Sequence, residues 1–366
     1  MKIAIDASRY KHEEATGVEW YSHFIIKELL KVCKGKDAEM VLYLKKKVDL
    51  DSKQRLVEGK RLWTLWHLSR AIAKDKPDVL FVPSHTLPLR LARTNVITIH
   101  DTAFRHMRSL YSFFAYHYLN WSTKRAVRKA DKIIVPSRTT AKDLQRFYNC
   151  PQEKIEVIYH GFEKEHVNKG AAEKAMKNSD AFKYFGIGPK MKFLLFVGRL
   201  ESKKNLANLI EAFAHFREVH PDYFLILAGK RGLGFKEIIE RVKKHGMMEH
   251  VILPGYVSEE EKTWLFENCE AFVFPSLYEG FGLPILESFH YKKPLLVSNV
   301  ACMREIADDA AHYVDPYDVS DMAKGIEKIV NDKKYSGSLV EKGSERLKNF
   351  SWTKAAKQTF DVIYGQ

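Results

Sequence analysis

Short apolar runs that stop at a polar or turn residue recur along this chain. They constrain its fold more than any other feature. In the first half they read KIAIDAS (2–8), EMVLYLK (39–45), DVLFVPS (78–84), NVITIHD (95–101), KIIVPS (132–137) and KIEVIYHG (154–161). A compact apolar run bounded by turn formers is the pattern of a strand buried on both faces of a parallel sheet. Between the runs, residues 18–33, 62–73 and 138–148 carry apolar residues near helical spacing. Strand, helix and strand in alternation predict a parallel sheet with helices on both faces. Ser137, just ahead of the third helix, is placed to cap it.

The alternation breaks over residues 162–189, a polar, Lys- and Glu-rich stretch ending in GIGPK that reads as a linker. It restarts with KFLLFVGRL (192–200), YFLILAGK (223–230), HVILPGYV (250–257), AFVFPS (271–276) and PLLVSN (294–299), separated by helical segments at 207–220, 235–245, 259–268 and 284–290. A chain of 366 residues is long for one core. The fold class is therefore α/β, with two doubly wound parallel-sheet domains facing a cleft. Their expected bounds are residues 1–187 and 188–350, with a final helix over 351–366. Ligands of such sheets bind beyond the carboxyl ends of the strands.

Composition excludes several classes. With 45% hydrophobic and 29% charged residues the chain reads as globular, not disordered. The longest apolar-aromatic stretch, 110–121, is interrupted by Ser112, His117 and Asn120, short of the ~20 residues that a bilayer span needs. The N-terminus reads as a first strand and not as a signal peptide. Cys33, Cys150, Cys269 and Cys302 are scattered without CxxC pairing, which points to packing roles in a reducing cytoplasm and to neither a disulfide framework nor a metal site.

Charge is unevenly placed. Residues 1–187 hold 35 Lys and Arg against 21 Asp and Glu, whereas residues 188–366 hold 25 of each. The first half thus carries the whole net charge of +14 and should face something anionic: a membrane surface, a nucleic acid or a phosphorylated substrate. No nucleic-acid-binding motif accompanies it, which sets nucleic acid aside. Residues 107–132 (MRSLYSFFAYHYLNWSTKRAVRKADK) place aromatics before Lys124, Arg125, Arg128 and Lys129. Two readings stand: an interfacial helix on anionic lipid, or a helix packed on the first sheet with a solvated basic end.

The stretch SLYEGFGLPILES (276–288) carries the chemistry. Glu279 lies in the loop beyond a strand's carboxyl end, Gly280 and Gly282 allow close backbone approach, and Pro284 suits a helix that begins near Leu283. The free N–H groups of that helix would make an anion site. Glu287 lies roughly 6 Å further along the axis, so the two carboxylates flank a phosphate cradle. A glycosidase pair would aim both at one bond, and a hard cation would need more converging oxygens. Carboxylate, cradle and carboxylate suit a nucleotide-sugar better, in the order sugar hydroxyls, diphosphate and ribose. The plain alternative is a loop charge at Glu279 and a solvated helix residue at Glu287.

These residues resemble the Glu-x7-Glu motif of family 4 glycosyltransferases, retaining enzymes of the GT-B fold. Other segments match in order across nearly the whole chain. VGRLESKKN (197–205) resembles the family's GRL…K segment, which implies that Gly198, Arg199 and Lys204 meet the donor diphosphate, with Lys203 a solvated neighbour. LPGYVSEEE (253–261) resembles its G-x-V loop, which implies nucleobase contacts at Tyr256 and Val257. Gly280, Phe281, Gly282 and Leu283 would line the donor. SNVACMREIADDAAHYVDP (298–316) is similar to the segment after the motif, where Glu305 caps or orients a helix. ATGVEWY (15–21) resembles the loop that opens the first helix, with Gly17 against the diphosphate or sugar. TIHDTAF (98–104) resembles the HD segment, which puts His100 at the reaction centre and Asp101 on the acceptor side. VIYHGFE departs from the family pattern, with His160 where asparagine is usual.

The resemblance implies transfer of a hexose from a nucleoside-diphosphate sugar to a glycan or lipid-linked acceptor hydroxyl with retention, His100, Arg199, Lys204 and Glu279 being the catalytic set. It implies no cofactor and no metal. The first-half segments look most like mannosyltransferases, which favours GDP-mannose over UDP-glucose. A cytoplasmic enzyme, peripheral at the inner membrane face, is the matching expectation. The rivals are a nucleotide-sugar epimerase of the same fold and a non-catalytic homologue acting as a binding partner.

Overall fold

The computed structural model describes residues 1–10, 17–163 and 168–365. Ala15 and Thr16 of the helix-opening loop lie outside the described residues, as do 164–167 of the expected linker. The chain divides into two compact units, Met1–Glu163 with Phe350–Gln366 and Lys164–Asn349.

Among its described residues the first unit has seven strands: β1 (Lys2–Asp6), β2 (Glu39–Leu44), β3 (Lys53–Leu56), β4 (Val79–Val82), β5 (Thr94–Thr98), β6 (Lys132–Val135) and β7 (Ile155–Val157). They form one sheet in the order β3-β2-β1-β4-β5-β6-β7, every pairing parallel. Its helices are α1 (Gly17–Cys33), α2 (Ser69–Asp75), α3 (Ala103–His106), α4 (Phe113–Lys129) and α5 (Arg138–Tyr148). Where one helix is expected over 62–73, a wider π-type turn (Thr64–Leu68) leads into α2. Successive side chains of a strand point to opposite faces. Ile3 and Ile5 accordingly join one apolar cluster, with Tyr21, Phe24 and Ile25 of α1, while Ala4 joins the other, with Ala126 of α4 and Leu144 of α5. Burial on both faces is why these strands read as unbroken apolar runs. Ser137 caps α5 by accepting the Thr140 amide at 3.1 Å.

The second unit contains β8 (Lys192–Val197), β9 (Tyr223–Ala228), β10 (Val251–Gly255), β11 (Ala271–Phe274), β12 (Leu295–Ser298) and β13 (His312–Val314). Their order is β10-β9-β8-β11-β12-β13, again all parallel. Around them lie α6 (Lys169–Asn178), α7 (Asp180–Phe185), α8 (Leu206–Val219), α9 (Phe235–Lys244), α10 (Glu259–Asn268), α11 (Leu283–His290), α12 (Ala301–Ala307), α13 (Val319–Asn331) and α14 (Lys333–Leu347). Most of the segment read as a linker is therefore helical. Ala172, Phe182 and Ile187 are buried anchors in an otherwise polar stretch, and Phe182 meets Trp264 of α10 at 5.9 Å. Glu305 lies inside α12, where its carbonyl accepts from Arg346 at 2.7 Å.

The last helix, α15 (Trp352–Tyr364), belongs to the first unit and packs along α1. Trp352 stacks on Phe24 at 5.3 Å and on His160 at 5.8 Å. A Cβ at Gly161 would fall 2.1 Å from the Trp352 amide nitrogen, so glycine is what lets the strand-end turn meet the helix. Replacing Trp352, 3% exposed, by alanine should destabilise the first unit by about 3–5 kcal/mol. The urea midpoint of the variant measures this, and an unchanged midpoint would contradict the packing role.

Candidate active site

In the second unit the strand order reverses between β8 and β11, which pair directly through Ala271 with Leu194 and Phe272 with Leu195. In doubly wound sheets ligands bind beyond the carboxyl ends of the strands at such a reversal. The loop after β8 carries Gly198, Arg199, Lys203 and Lys204, and the loop after β11 carries Glu279 to Gly282. The Leu277 amide donates to the Lys203 carbonyl at 2.9 Å and ties the two together. The turn after β9 closes from the side. A Cβ at Gly229, φ +145°, would fall 1.8 Å from the Gly198 carbonyl oxygen.

Lys204 and Glu279 form a buried ion pair across these loops, and the Lys204 ammonium lies 5.1 Å from the centre of the Phe274 ring. Burial alone would raise the Glu279 pKa. Lys204 and Lys203 outweigh it and hold the carboxyl below its usual range, so Glu279 is ionised at neutral pH. Lys203 departs from its expected solvated role: its side chain is mostly covered and meets Glu201 at 3.6 Å. Arg199 is exposed, and no ion-pair partner to it is found among the described residues.

Helix α11 starts at Leu283. Its cap is Gly282 in the left-handed region, φ +97°, and Pro284 occupies the first turn. Its first amides therefore have no side-chain cap and remain a ready anion site. One turn in, Glu287 Oε1 accepts from Lys262 at 2.7 Å, and Lys262 also meets Glu259 at 2.9 Å. In the loop after β10, Tyr256 is exposed with the Lys230 ammonium 4.6 Å from its ring centre, whereas Val257 is buried.

In the first unit, His100 follows β5. Its Nε2 lies 3.1 Å from the Pro83 carbonyl, which can only accept, so Nε2 carries the proton and Nδ1 is left as the acceptor. The Tyr21 ring meets it edge-on at 4.7 Å, and that tyrosine's hydroxyl is 3.1 Å from Thr98 Oγ1. His160 lies 5.6 Å away between His100 and Trp352. Although one edge of His100 is accessible, burial pushes its pKa down to about 4, and burial likewise lowers those of His85 and His160. Asp101 Oδ1 accepts the Ala103 amide at 3.1 Å and so starts α3. Gly17 opens α1, and among the described residues nothing lies within 4 Å of its Cβ position.

Helix α4 turns an aromatic face outward: Phe113, Phe114, Tyr118 and Trp121 are exposed, followed by exposed Lys124, Arg128 and Lys129. Arg125 differs from its basic neighbours on α4. Its guanidinium donates to the carbonyls of Leu87 (3.0 Å), Pro88 (2.7 Å) and Leu89 (3.2 Å) and so serves the fold. Among the described residues no helix is long and apolar enough to cross a membrane, and no group of three or more His, Cys, Asp and Glu is placed to hold a metal ion.

Residues 178–346 match the glycosyl transferases group 1, and residues 45–166 match glycosyltransferase family 4. The chain belongs to the group 1 and family 4 glycosyltransferases. O-antigen chain mannosyltransferase B of Escherichia coli is 28% identical over 317 residues, 84% of this chain and 79% of its own length. Sucrose-phosphate synthase of Thermosynechococcus elongatus superposes over 100% of this chain and 98% of its own, with a TM-score of 0.73 and 18% identity. HepE of Anabaena, solved with UDP-glucose, does so over 100% and 99%, with a TM-score of 0.72 and 15% identity. At such identities the two structures speak to the fold alone, which is GT-B with two Rossmann-like units.

The sequence of this glycosyltransferase left three neighbours unread. Lys262 stands three residues after Glu259, a helical spacing that pairs the two, but its partnership with Glu287 is tertiary. His85 and Lys230 have no local signal. The buried histidines set a pH dependence. Free histidine titrates near 6.5 and folded His100 near 4, so between these values the unfolded chain binds the extra proton and stability falls as pH falls. Between pH 6 and 5, His100 should add a slope of about 1 kcal/mol per pH unit. His160→Asn should flatten the overall dependence, as read by urea midpoints at pH 7 and 5. Equal midpoints for wild type at both values would refute it.

Proposed function

We propose that this glycosyltransferase moves a hexose from a nucleoside-diphosphate sugar to an acceptor hydroxyl of a glycan or lipid-linked precursor, with retention at the anomeric carbon. The observation that carries the reading is the buried Lys204–Glu279 pair beside the uncapped start of α11, with the exposed cation of Arg199 on the same loop as Lys204. The α11 amides, Lys204 and Arg199 take the diphosphate. As the bond from the anomeric carbon to the diphosphate oxygen breaks, these groups stabilise the charge that gathers there. The acceptor oxygen bonds to the anomeric carbon on the same face, and its proton passes to the departing phosphate oxygen. Glu279, ionised and fixed by Lys204, accepts hydrogen bonds from the sugar hydroxyls. Glu287 takes the ribose and Tyr256 stacks on the nucleobase. His100 is assigned to the reacting sugar as a neutral ring with Nδ1 accepting, and Gly17 to the donor side.

GDP-mannose is the donor favoured here, supported by the O-antigen mannosyltransferase as a relative over most of the chain. Incubation with GDP-mannose or UDP-glucose and a lipid-linked acceptor pool, read by mass spectrometry, should give hexose-extended acceptor from GDP-mannose. An epimerised donor or no change would refute the reading. Arg199→Ala should lower turnover ~10²-fold or more. Wild-type turnover would remove Arg199 from the leaving-group role.

A place at the cytoplasmic membrane face is the matching proposal. Unit one holds 32 Lys and Arg against 19 Asp and Glu, and α4 adds exposed Phe113, Phe114, Tyr118 and Trp121 to Lys124, Arg128 and Lys129. Near-surface cations contribute ~1 kcal/mol each on anionic lipid. Binding to phosphatidylserine-containing vesicles should weaken with salt and with glutamate at positions 124 and 128. Salt-independent binding to neutral vesicles would count against it.

A further inference from the structure

The lysine that holds Glu287 is not part of the Glu-x7-Glu motif. Lys262 lies on α10, a different element from Glu287, and its ammonium bridges two carboxylates: Glu287 Oε1 at 2.7 Å and Glu259 Oε1 at 2.9 Å. The Lys262 and Glu287 side chains are 13% and 15% exposed, the Glu259 side chain 38%. Burial works against the charge on Lys262, but Glu287 and Glu259 outweigh it and raise its pKa above the ordinary lysine range. The two helices are braced where this happens. Thr263 Oγ1 and the Tyr291 hydroxyl are 2.8 Å apart, and Phe266 stacks on Tyr291 at 4.9 Å.

We infer that Lys262 is a positioning residue for donor binding, which fixes the rotamer and the charge of Glu287 so that its carboxylate meets the ribose hydroxyls. This rests on reading Glu287 as the ribose ligand. The chemistry is simple. A carboxylate has about four lone-pair sites, and Lys262 occupies one at Oε1, which leaves capacity for two vicinal hydroxyls. Without the lysine, a mostly buried carboxylate has lost the main charge that compensates it, and it would swing out or take up a proton. The same arrangement couples the nucleobase loop to the ribose site, because α10 begins two residues after Val257 and its Ser258–Glu261 capping box pins that start. Lys262 thereby makes the site select ribose over deoxyribose.

The test is calorimetric binding of GDP, UDP and their 2′- and 3′-deoxy counterparts to full-length protein. Wild type should prefer the ribonucleotide by about tenfold or more, since a site built to bond a hydroxyl rejects the analogue that lacks it. In K262M the preference should shrink to within about twofold. A merely structural role would weaken ribo and deoxy ligands by one common factor, and that result, or an undiminished preference, overturns the inference. K262M takes the lysine from a mostly buried carboxylate and can fail to fold, so E287Q and E287Q/K262M form the second arm, in which position 287 carries no charge. If Lys262 acts through Glu287, the two should show the same preference within about twofold. A further loss in the double variant overturns the inference. Equal binding of ribo and deoxy ligands by wild type would instead overturn the ribose reading of Glu287, and this inference with it.

Discussion

A parallel sheet whose strand order reverses at its centre sends two neighbouring loops to opposite faces, and the chemistry of the second unit hangs on that divergence. The loops after β8 and β11 leave adjacent strands, so Lys204 and Glu279, 75 residues apart in sequence, arrive side by side. Once there, neither is stable alone. A buried carboxylate without a cation, or the reverse, is strongly unfavourable, and the pair resolves both. The same solution recurs one turn into α11, where Glu287 has Lys262.

This pairing shapes what the site can do. A carboxylate held ionised by a lysine accepts hydrogen bonds and resists protonation, which makes it a ligand for hydroxyl groups and a poor general acid. Glu279 therefore differs in kind from the acid of a glycosidase pair, which must carry a proton. Positive charge left over, at Arg199 and at the start of α11, is free to meet a phosphate. In the first unit the logic is inverted. His100, His85 and His160 have their pKa values lowered by burial, so these rings are neutral at neutral pH.

Much of the fold was legible because burial on both sheet faces writes itself as apolar runs. Where an element is exposed, the signal disappears. β3 (KQRL) is an edge strand with polar side chains, β13 is a three-residue edge, and α6 and α7 show only a few apolar anchors among charges. Tertiary contact explains these elements, and local pattern does not. Arg125 makes the same point on a single residue: a basic side chain at the end of an amphipathic run looks solvated until the Leu87–Leu89 carbonyls are brought to it.

The sequence by itself determined the α/β class, the two parallel sheets and the order of loop, cradle and carboxylate in SLYEGFGLPILES, since each depends on short-range periodicity and on residues that permit particular backbone shapes. Gly282 and Pro284 alone specify where α11 begins. The partners of each charge were decided only by tertiary structure. Lys204 for Glu279, Lys262 for Glu287, and His160 with Trp352 beside His100 come from elements 25 to about 250 residues apart, brought together by sheet order and helix packing. Charge pairing in a buried site is a property of that packing, and no local spacing encodes it.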